Sequence, residues 1–315
     1  MAKGLSISNL IGAFPSGIAQ GIIWGIMALG VYITFRLLGV SDLTVDGSFT
    51  TGGAVVAMML LNGHNVWLAI FVSVLAGMAA GITTGLLNTK MGIPAILSGI
   101  LTQFALYSIN LAIMGMVANK AIPVDKYHLA ITSRNIPMAI VTGFIFAAVI
   151  IAVLYWYFGT EHGSAMRATG CNSTMAKAQG ININVMKVLG LALANGLVAL
   201  SGGLMAQYQG FADINMGKGA IVIGLAAVII GEVIGDALLG KYLNFAGRLS
   251  FVVIGGILYY IIVIIVLWLK VNSNMLKLFT SIIVAVFLAV PYLQEHQKTS
   301  FARAGKNAAK ASKEA

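Results

Sequence analysis

Two pairs of carboxylates interrupt the apolar runs of this sequence, and each pair is spaced four residues apart. The first pair is Asp42 and Asp46, and the second is Glu232 and Asp236. Positions i and i+4 share one face of a helix, so both members of a pair can act on one ligand or one basic partner. Because a carboxylate is costly to expose to hydrocarbon, these pairs indicate a hydrated pathway, a protein contact or an ionic contact.

Each pair also has a purely structural explanation. Asp42 and Asp46 could cap a helix N-terminus, where negative charge is favoured, instead of ending a broken helix beside a pathway. Glu232 and Asp236 could pair with Lys241 or Arg248 at the edge of a membrane. The sequence leaves both questions open.

Other chemistry-bearing side chains are few and scattered. The histidines form no ligand pair at helical spacing; they are His64, His128, His162 and His296. The single cysteine, Cys171, has no intrachain disulfide partner, and nothing beside it in the sequence makes it a nucleophile. We find no His/Asp or Ser/Lys constellation, so an intramembrane enzyme is a remote alternative.

The composition indicates a membrane protein built from helices. Only 9% of the 315 residues are charged, against about 25% in an average soluble domain. Apolar residues make up 59%, there are 37 glycines, and the mean hydropathy is +0.94. The net charge of +10 is distributed over short gaps and a tail rather than over one domain, which argues against nucleic acid as a partner.

Nine apolar stretches approach the ~20 residues that a membrane-spanning helix needs. They cover residues 14–37, 46–62, 66–87, 94–117, 137–158, 186–207, 219–239, 249–269 and 276–293. We therefore predict an all-α, polytopic transmembrane helix bundle of about nine spans, in a range of eight to ten, over residues 1–296. Residues 297–315 are predicted to be a disordered basic cytoplasmic tail, which also could touch anionic membrane lipid.

The distribution of Lys and Arg predicts the orientation. Placing the C-terminus in the cytoplasm puts most of the 19 basic residues on the cytoplasmic side. Nine spans then place the N-terminus outside, although a re-entrant second stretch would reverse that side.

The sequence also contains an internal repeat. Residues 41–58 are similar to residues 212–229, and the predicted topology makes the two copies run in opposite directions. That is the inverted-repeat plan of many transporters, although chance similarity between small-residue segments is the alternative. The candidate pathway residues are Asp42, Asp46, Ser48, Asp213, Asn215, Glu232 and Asp236.

The long polar interval at 159–185 is predicted to be cytoplasmic and to hold a short helix. Asn172 or Ser173 is a suitable N-cap for a helix from Thr174 to Gln179, with Gly180 as the residue that ends it. A short helix on the cytoplasmic face is a docking element.

This interval resembles the loop of ATP-binding cassette (ABC) importer permeases of the branched-chain amino acid and ribose type. The pattern is Gly-x-x-x-Arg-Ala-x-Gly-x-Asn-x-x-x-Ala-x-x-x-Gly-Ile-Asn, which runs here from Gly163 to Asn182. In those permeases the loop carries the helix that contacts the ATPase. The resemblance implies coupling roles for Gly163, Arg167, Ala168, Gly170, Asn172, Met175, Ala176 and Gly180.

A second stretch supports the same family. The segment Asp42-Leu43-Thr44-Val45-Asp46-Gly47-Ser48 looks like the Asp-Leu-Ser-Val-Gly-Ser segment of the sugar permeases, with Asp46 as an extra residue. Together with Thr34-Phe35-Arg36, it is similar to a subgroup paired with lipoproteins that bind amino acids, including aromatic ones.

The resemblance implies a non-catalytic, multi-pass subunit of a bacterial plasma (inner) membrane. Its expected partners are cytoplasmic ABC ATPase subunits, an extracellular or lipid-anchored binding protein and a second permease subunit, most simply in a homodimer. No cofactor is expected on this chain, with ATP and Mg on the partner ATPase. In agreement, the Gly217-Lys218 pair lacks the remaining residues of a nucleotide-binding P-loop.

The main alternative is an ion-coupled secondary transporter of a small organic solute, which an inverted repeat also fits. Such a protein would need an ion or proton site inside the membrane. Only Glu232 and Asp236 lie well inside a predicted span.

Overall fold

The computed structural model describes residues 7–124, 126–240 and 243–268, together with a few positions between 278 and 289. Apart from two short strands, its regular elements are helices, which confirms the predicted all-α, polytopic fold. The stretch predicted at 276–293 lies mostly outside the described residues, and the tail at 297–315 lies entirely outside them.

The helices and strands follow one another in a simple order. They are α1 Ile7–Tyr32, α2 Thr44–Leu61, α3 Val66–Thr89, α4 Ala95–Ile113, β1 Asn119–Ala121, α5 Ile136–Gly159, α6 Glu161–Cys171, α7 Ser173–Ala178, α8 Ile183–Gln209, β2 Phe211–Asp213, α9 Ala220–Leu238 and α10 Phe245–Trp268. A π-helical turn, Ile33–Leu37, extends α1.

Within the described chain, eight helices are long and apolar enough to cross a membrane. They are α1 with its π-helical turn, α2 to α5, and α8 to α10. The second predicted stretch, which was short enough to be a broken segment, is one continuous helix of 18 residues. The sequence did not predict α6, because a polar helix with internal glycines has no apolar periodicity to reveal it.

The core of the bundle lies along α8. Over an apolar stretch of 18 residues in each span, the share of buried residues is 83% in α1, 78% in α2 and 78% in α8, whereas it is 22% in α5, which forms the periphery. Close approach of α2 and α8 depends on glycine, because a Cβ on Gly52 would overlap the Ala199 carbonyl and one on Gly202 would overlap the Phe49 carbonyl.

The two ends of the bundle are distinguished by different elements. At the strand end, β1 pairs antiparallel with β2, and the Tyr127 hydroxyl donates to the Leu61 carbonyl at the end of α2. At the opposite end, which we call the α6 end, Gly170 packs against the Leu37 carbonyl. With the spans alternating between these ends, α2 and α9 run in opposite directions, as an inverted repeat requires.

Candidate functional site

A buried polar network fixes the start of α2 to the middle of α8. The Asn195 amide nitrogen donates to Asp42 Oδ2 at 2.7 Å, and the Ser48 hydroxyl donates to Asn195 Oδ1 at 2.6 Å. The Thr44 N–H donates to Asp42 Oδ1 at 2.9 Å. Asp42 is 2% exposed, and Ser48 and Asn195 are fully buried.

Asp42 and Ser48 both face partners inside the chain, and their role in lining a pathway stays a prediction. Burial raises the pKa of the Asp42 carboxyl, which lies in the connection between two spans, while hydrogen bonds from Thr44 and Asn195 act in the opposite direction. The sequence analysis missed Asn195, although an amide in the middle of an apolar stretch is a detectable signal.

Asp46 caps the N-terminus of α9 from a different helix. Its carboxylate accepts the Gly219 N–H at 2.9 Å and the Ile221 N–H at 3.0 Å. Gly217 lies directly against the Asp46 carbonyl, where a Cβ would overlap it. The carboxylate thus satisfies free N–H groups at the positive end of the α9 dipole, so the two repeat copies contact each other here.

A cavity of about 360 Å³ lies beside this contact. It is lined by Asp46, Gly47, Thr50, Gln103, Phe104, Tyr107, Asn110, Ile214 and Lys218. Asp46 is the one predicted pathway residue among them. The lining residues of α4 were missed, although Gln103 and Asn110 interrupt an apolar stretch and could have been noticed.

The remaining pathway candidates lie elsewhere. Asp213 and Asn215 belong to the turn at the strand end, where Asp213 accepts from the Asn119 side chain at 3.3 Å and from the Asn215 N–H at 2.7 Å. Neither lines the cavity, although Ile214 and Lys218 of the same segment do. The predicted pathway residues therefore lie in separate places within the bundle, and their part in a pathway stays a prediction.

Glu232 and Asp236 lie at the α6 end in ion pairs. Arg36 Nε is 2.9 Å from Glu232 Oε1, and Arg248 Nη2 is 4.0 Å from Asp236 Oδ1. The Arg248 pairing is one that the sequence allowed, whereas Lys241 lies outside the described residues. Arg36 was not anticipated, because its closeness to α9 depends on the packing of α1.

The interval at the α6 end holds two capped helices. Asn172 caps α7 by accepting the Met175 N–H at 3.0 Å, and Gly180, with φ +82°, follows the helix. The predicted N-cap and terminating glycine are confirmed, with α7 one residue earlier than predicted. Thr160 caps α6 in the same way, accepting the Gly163 N–H at 3.4 Å.

The predicted coupling residues divide into supporting and exposed positions. Gly163 packs against the Phe158 backbone, Gly170 packs against Leu37, and the Arg167 guanidinium lies 5.8 Å from the centre of the Phe245 ring. Ala176 is 3% exposed, so its side chain packs inside the chain, and its coupling role stays a prediction. The exposed positions are Ala168, Asn172, Met175 and Gly180, with Met175 60% exposed.

Comparisons with known proteins agree with these features. Residues 14–291 match the family described as "Branched-chain amino acid transport system / permease component". The chain is 39% identical over 288 residues to the tyrosine transport system permease protein of Clostridioides difficile (strain R20291), covering 91% of this chain and 94% of that protein.

More distant relatives match over shorter regions. An uncharacterized protein of Rickettsia prowazekii (strain Madrid E) is 33% identical over 188 residues, which is 59% of this chain and 65% of the relative. The ribose import permease protein RbsC of Escherichia coli (strain K12) is 24% identical over 178 residues, which is 56% of this chain and 55% of the relative.

Proposed function

This chain belongs to the family of ABC importer permeases of the branched-chain amino acid and ribose type, and from that premise we propose that it carries an amino acid into the cell, with an aromatic amino acid as the leading substrate. The observation that supports this substrate most strongly is the 39% identity to a tyrosine transport system permease over 91% of this chain. The permease is proposed to be a non-catalytic subunit.

The proposed partners occupy opposite ends of the bundle. Cytoplasmic ATPase subunits, which bind ATP and Mg, would dock at the α6 end, and an extracellular or lipid-anchored binding protein would deliver the solute at the strand end. The complex would contain two permease copies in a bacterial plasma membrane, with the C-terminus in the cytoplasm. Basic residues support this orientation, because Arg36, Lys90, Arg167, Lys177, Lys187 and Arg248 lie at the α6 end.

The contacts of α6 provide a route from an ATPase to the spans. Gly170 of α6 packs on the Leu37 and Leu38 backbone at the end of the π-helical turn. Leu38 in turn contacts Gly190 of α8, where Met166 of α6 also packs. A force applied to α6 and α7 would therefore reach α1 through the backbone contact at Gly170, and α8 through the Leu38 and Met166 side chains that pack on Gly190.

The ion-coupled secondary transporter is the second candidate. The observation that favours a secondary transporter is Asp46, because its carboxylate lies within a span and lines a cavity. The ion pairs of Glu232 and Asp236 weaken it, because a proton or cation site needs a carboxylate that is not already neutralised by arginine. Dependence of uptake on ATP separates the two candidates.

The coupling assignment is tested by placing a charge at Met175. Met175→Glu puts a carboxylate on an exposed position without disturbing the fold, and it should prevent ATPase docking because the charge would have to be desolvated. We expect the variant to reach the membrane at normal amounts, to lose co-purification with the ATPase and to lose ATP-dependent uptake.

Two further variants control this experiment. Met175→Leu keeps size and polarity, so it should retain docking and uptake. Ala176→Glu places its charge inside the chain and should instead reduce the amount of folded permease. Retention of both the ATPase and the uptake rate in Met175→Glu would contradict the assignment of α6 and α7 to coupling.

A further inference from the structure

We propose that the cavity lined by α2, α4 and residues 214–218 is the solute-binding site of the permease, and that it takes a zwitterionic amino acid with a large aromatic side chain. The proposal rests on the proposed function, because it identifies the place where the imported amino acid is held. We name this space the α4 cavity, and Asp46, Phe104, Asn110 and Lys218 are among its lining residues.

A residue of the cavity wall, Asn110, carries an unpaired acceptor, and this is the first indication of a ligand. Asn110 is 1% exposed, and its Nδ2 lies 3.3 Å from the Gly47 carbonyl. Since a carbonyl can only accept, this contact fixes the orientation of the amide and leaves Oδ1 facing away. Oδ1 has no hydrogen-bond partner among the described residues. A buried acceptor without a donor is unfavourable. The oxygen is itself closed off from solvent, so a ligand N–H would satisfy it once the amide turns toward the cavity.

Opposite charges line the same cavity. The Asp46 carboxylate accepts hydrogen bonds from two backbone N–H groups, and each of its oxygens retains a further lone pair. Lys218 is exposed on the segment that leads into α9. The carboxylate of Asp46 and the Asn110 oxygen suit an ammonium group, and the Lys218 ammonium suits a carboxylate. An α-amino acid carries both groups on one carbon.

Two exposed aromatic side chains of α4 line the α4 cavity. Phe104 is 73% exposed and Tyr107 is 46% exposed, one turn apart on α4. Their rings provide apolar surface for stacking a flat side chain. A space of about 360 Å³ falls within the usual range for small-ligand pockets. The polar side chains of Lys218 and Gln103 in the same lining favour contact with water or protein over contact with lipid tails.

Cysteine protection tests the site without requiring transport. In a Cys171→Ser background, Phe104→Cys and the control Phe71→Cys place single thiols on two exposed positions of different spans. A small thiol reagent is then applied to the purified permease with phenylalanine, alanine or ribose present. We expect phenylalanine to slow labelling at 104 about fivefold or more, with a smaller effect of alanine, no effect of ribose and no change at 71.

Transport assays complete the test. Asn110→Leu should reduce aromatic amino acid uptake about tenfold or more, because a hydrogen bond to the ligand ammonium is lost, while the ATPase still co-purifies. Phe71→Ala should leave uptake unchanged.

The outcomes separate this proposal from the proposed function. Equal labelling at 104 with and without phenylalanine, or protection by ribose alone, would overturn the site. Full uptake by Asn110→Leu would also overturn it, while leaving the importer function intact. If phenylalanine slows labelling at position 104 but the wild-type permease shows no ATP-dependent uptake, the proposed binding site stands and the proposed importer function is rejected.

Discussion

Replacing Asn195 by leucine should destabilise the permease more than the loss of any neutral hydrogen bond on the same helix. The Asn195 side chain joins Asp42 and Ser48 of the first repeat copy to α8, and all three residues are buried. Leucine has a similar volume but offers neither a donor nor an acceptor. It would leave the Asp42 carboxylate with the Thr44 N–H and without the amide that contacts it at 2.7 Å.

The magnitude depends on the kinds of bond that are lost. A neutral hydrogen bond between membrane helices contributes about 0.6 kcal/mol on average. A hydrogen bond to a charged group contributes about 1.5–3 kcal/mol. Losing one of each predicts a cost of about 2–4 kcal/mol, which corresponds to a fall in midpoint of roughly 3–6 °C for a chain of this size.

The assay is thermal unfolding of the purified permease in detergent, followed by tryptophan fluorescence and light scattering. Ser201→Ala is the matched control, because the Ser201 hydroxyl makes one buried neutral hydrogen bond from α8 to the Ile23 carbonyl at 2.7 Å. It should cost about 0.6 kcal/mol.

A double-mutant cycle isolates the contribution of charge. Asp42→Asn keeps the shape of the side chain and removes its charge, so Asn195→Leu should cost less in that background. A cost for Asn195→Leu no larger than that of Ser201→Ala, or strictly additive effects with Asp42→Asn, would refute the view that a carboxylate network connects α2 to α8.

Three further predictions use other contacts. Gly52→Ala should lower the thermal midpoint and the amount of folded protein, because its Cβ would overlap the Ala199 carbonyl, whereas Gly12→Ala in the open first turns of α1 should have no effect. Arg36→Glu should reduce the free energy of unfolding by about 1 kcal/mol or less, since the Arg36 side chain is 55% exposed. Combining Arg36→Glu with Glu232→Arg should restore the free energy of unfolding. A double variant as unstable as Arg36→Glu alone would argue against the ion pair. Exposed Cys171 should react with a membrane-impermeant maleimide in inverted vesicles and not in intact cells, and the reverse pattern would place the α6 end outside.

The sequence predicted those features that depend on neighbouring residues. The spans follow from the length and hydropathy of each stretch, and the described helices reproduce them with shifts of a few residues at most ends. The cap of α7 followed from Asn172 and Gly180, because both act within one or two turns of the chain. The acidic pairs were recognised because charges are rare within apolar stretches.

Features that depend on packing between distant segments could not be predicted. The partners of Asp46 are the N–H groups of Gly219 and Ile221, and neither has a side chain that signals a polar contact. Ala176 is suitable for a docking surface by type, but its burial depends on how α7 lies on the bundle. The pairing of Arg36 with Glu232 likewise depends on the packing of α1 beside α9.

Uptake by a reconstituted complex tests the central claim most directly. The permease would be placed in proteoliposomes with the proposed ATPase and the proposed binding protein, with labelled tyrosine on the binding-protein side and ATP on the ATPase side. We predict accumulation of tyrosine that requires ATP, both partners and an intact Met175 surface, and that is insensitive to collapse of ion gradients. Accumulation driven by an ion gradient in vesicles that contain the permease alone would contradict the account.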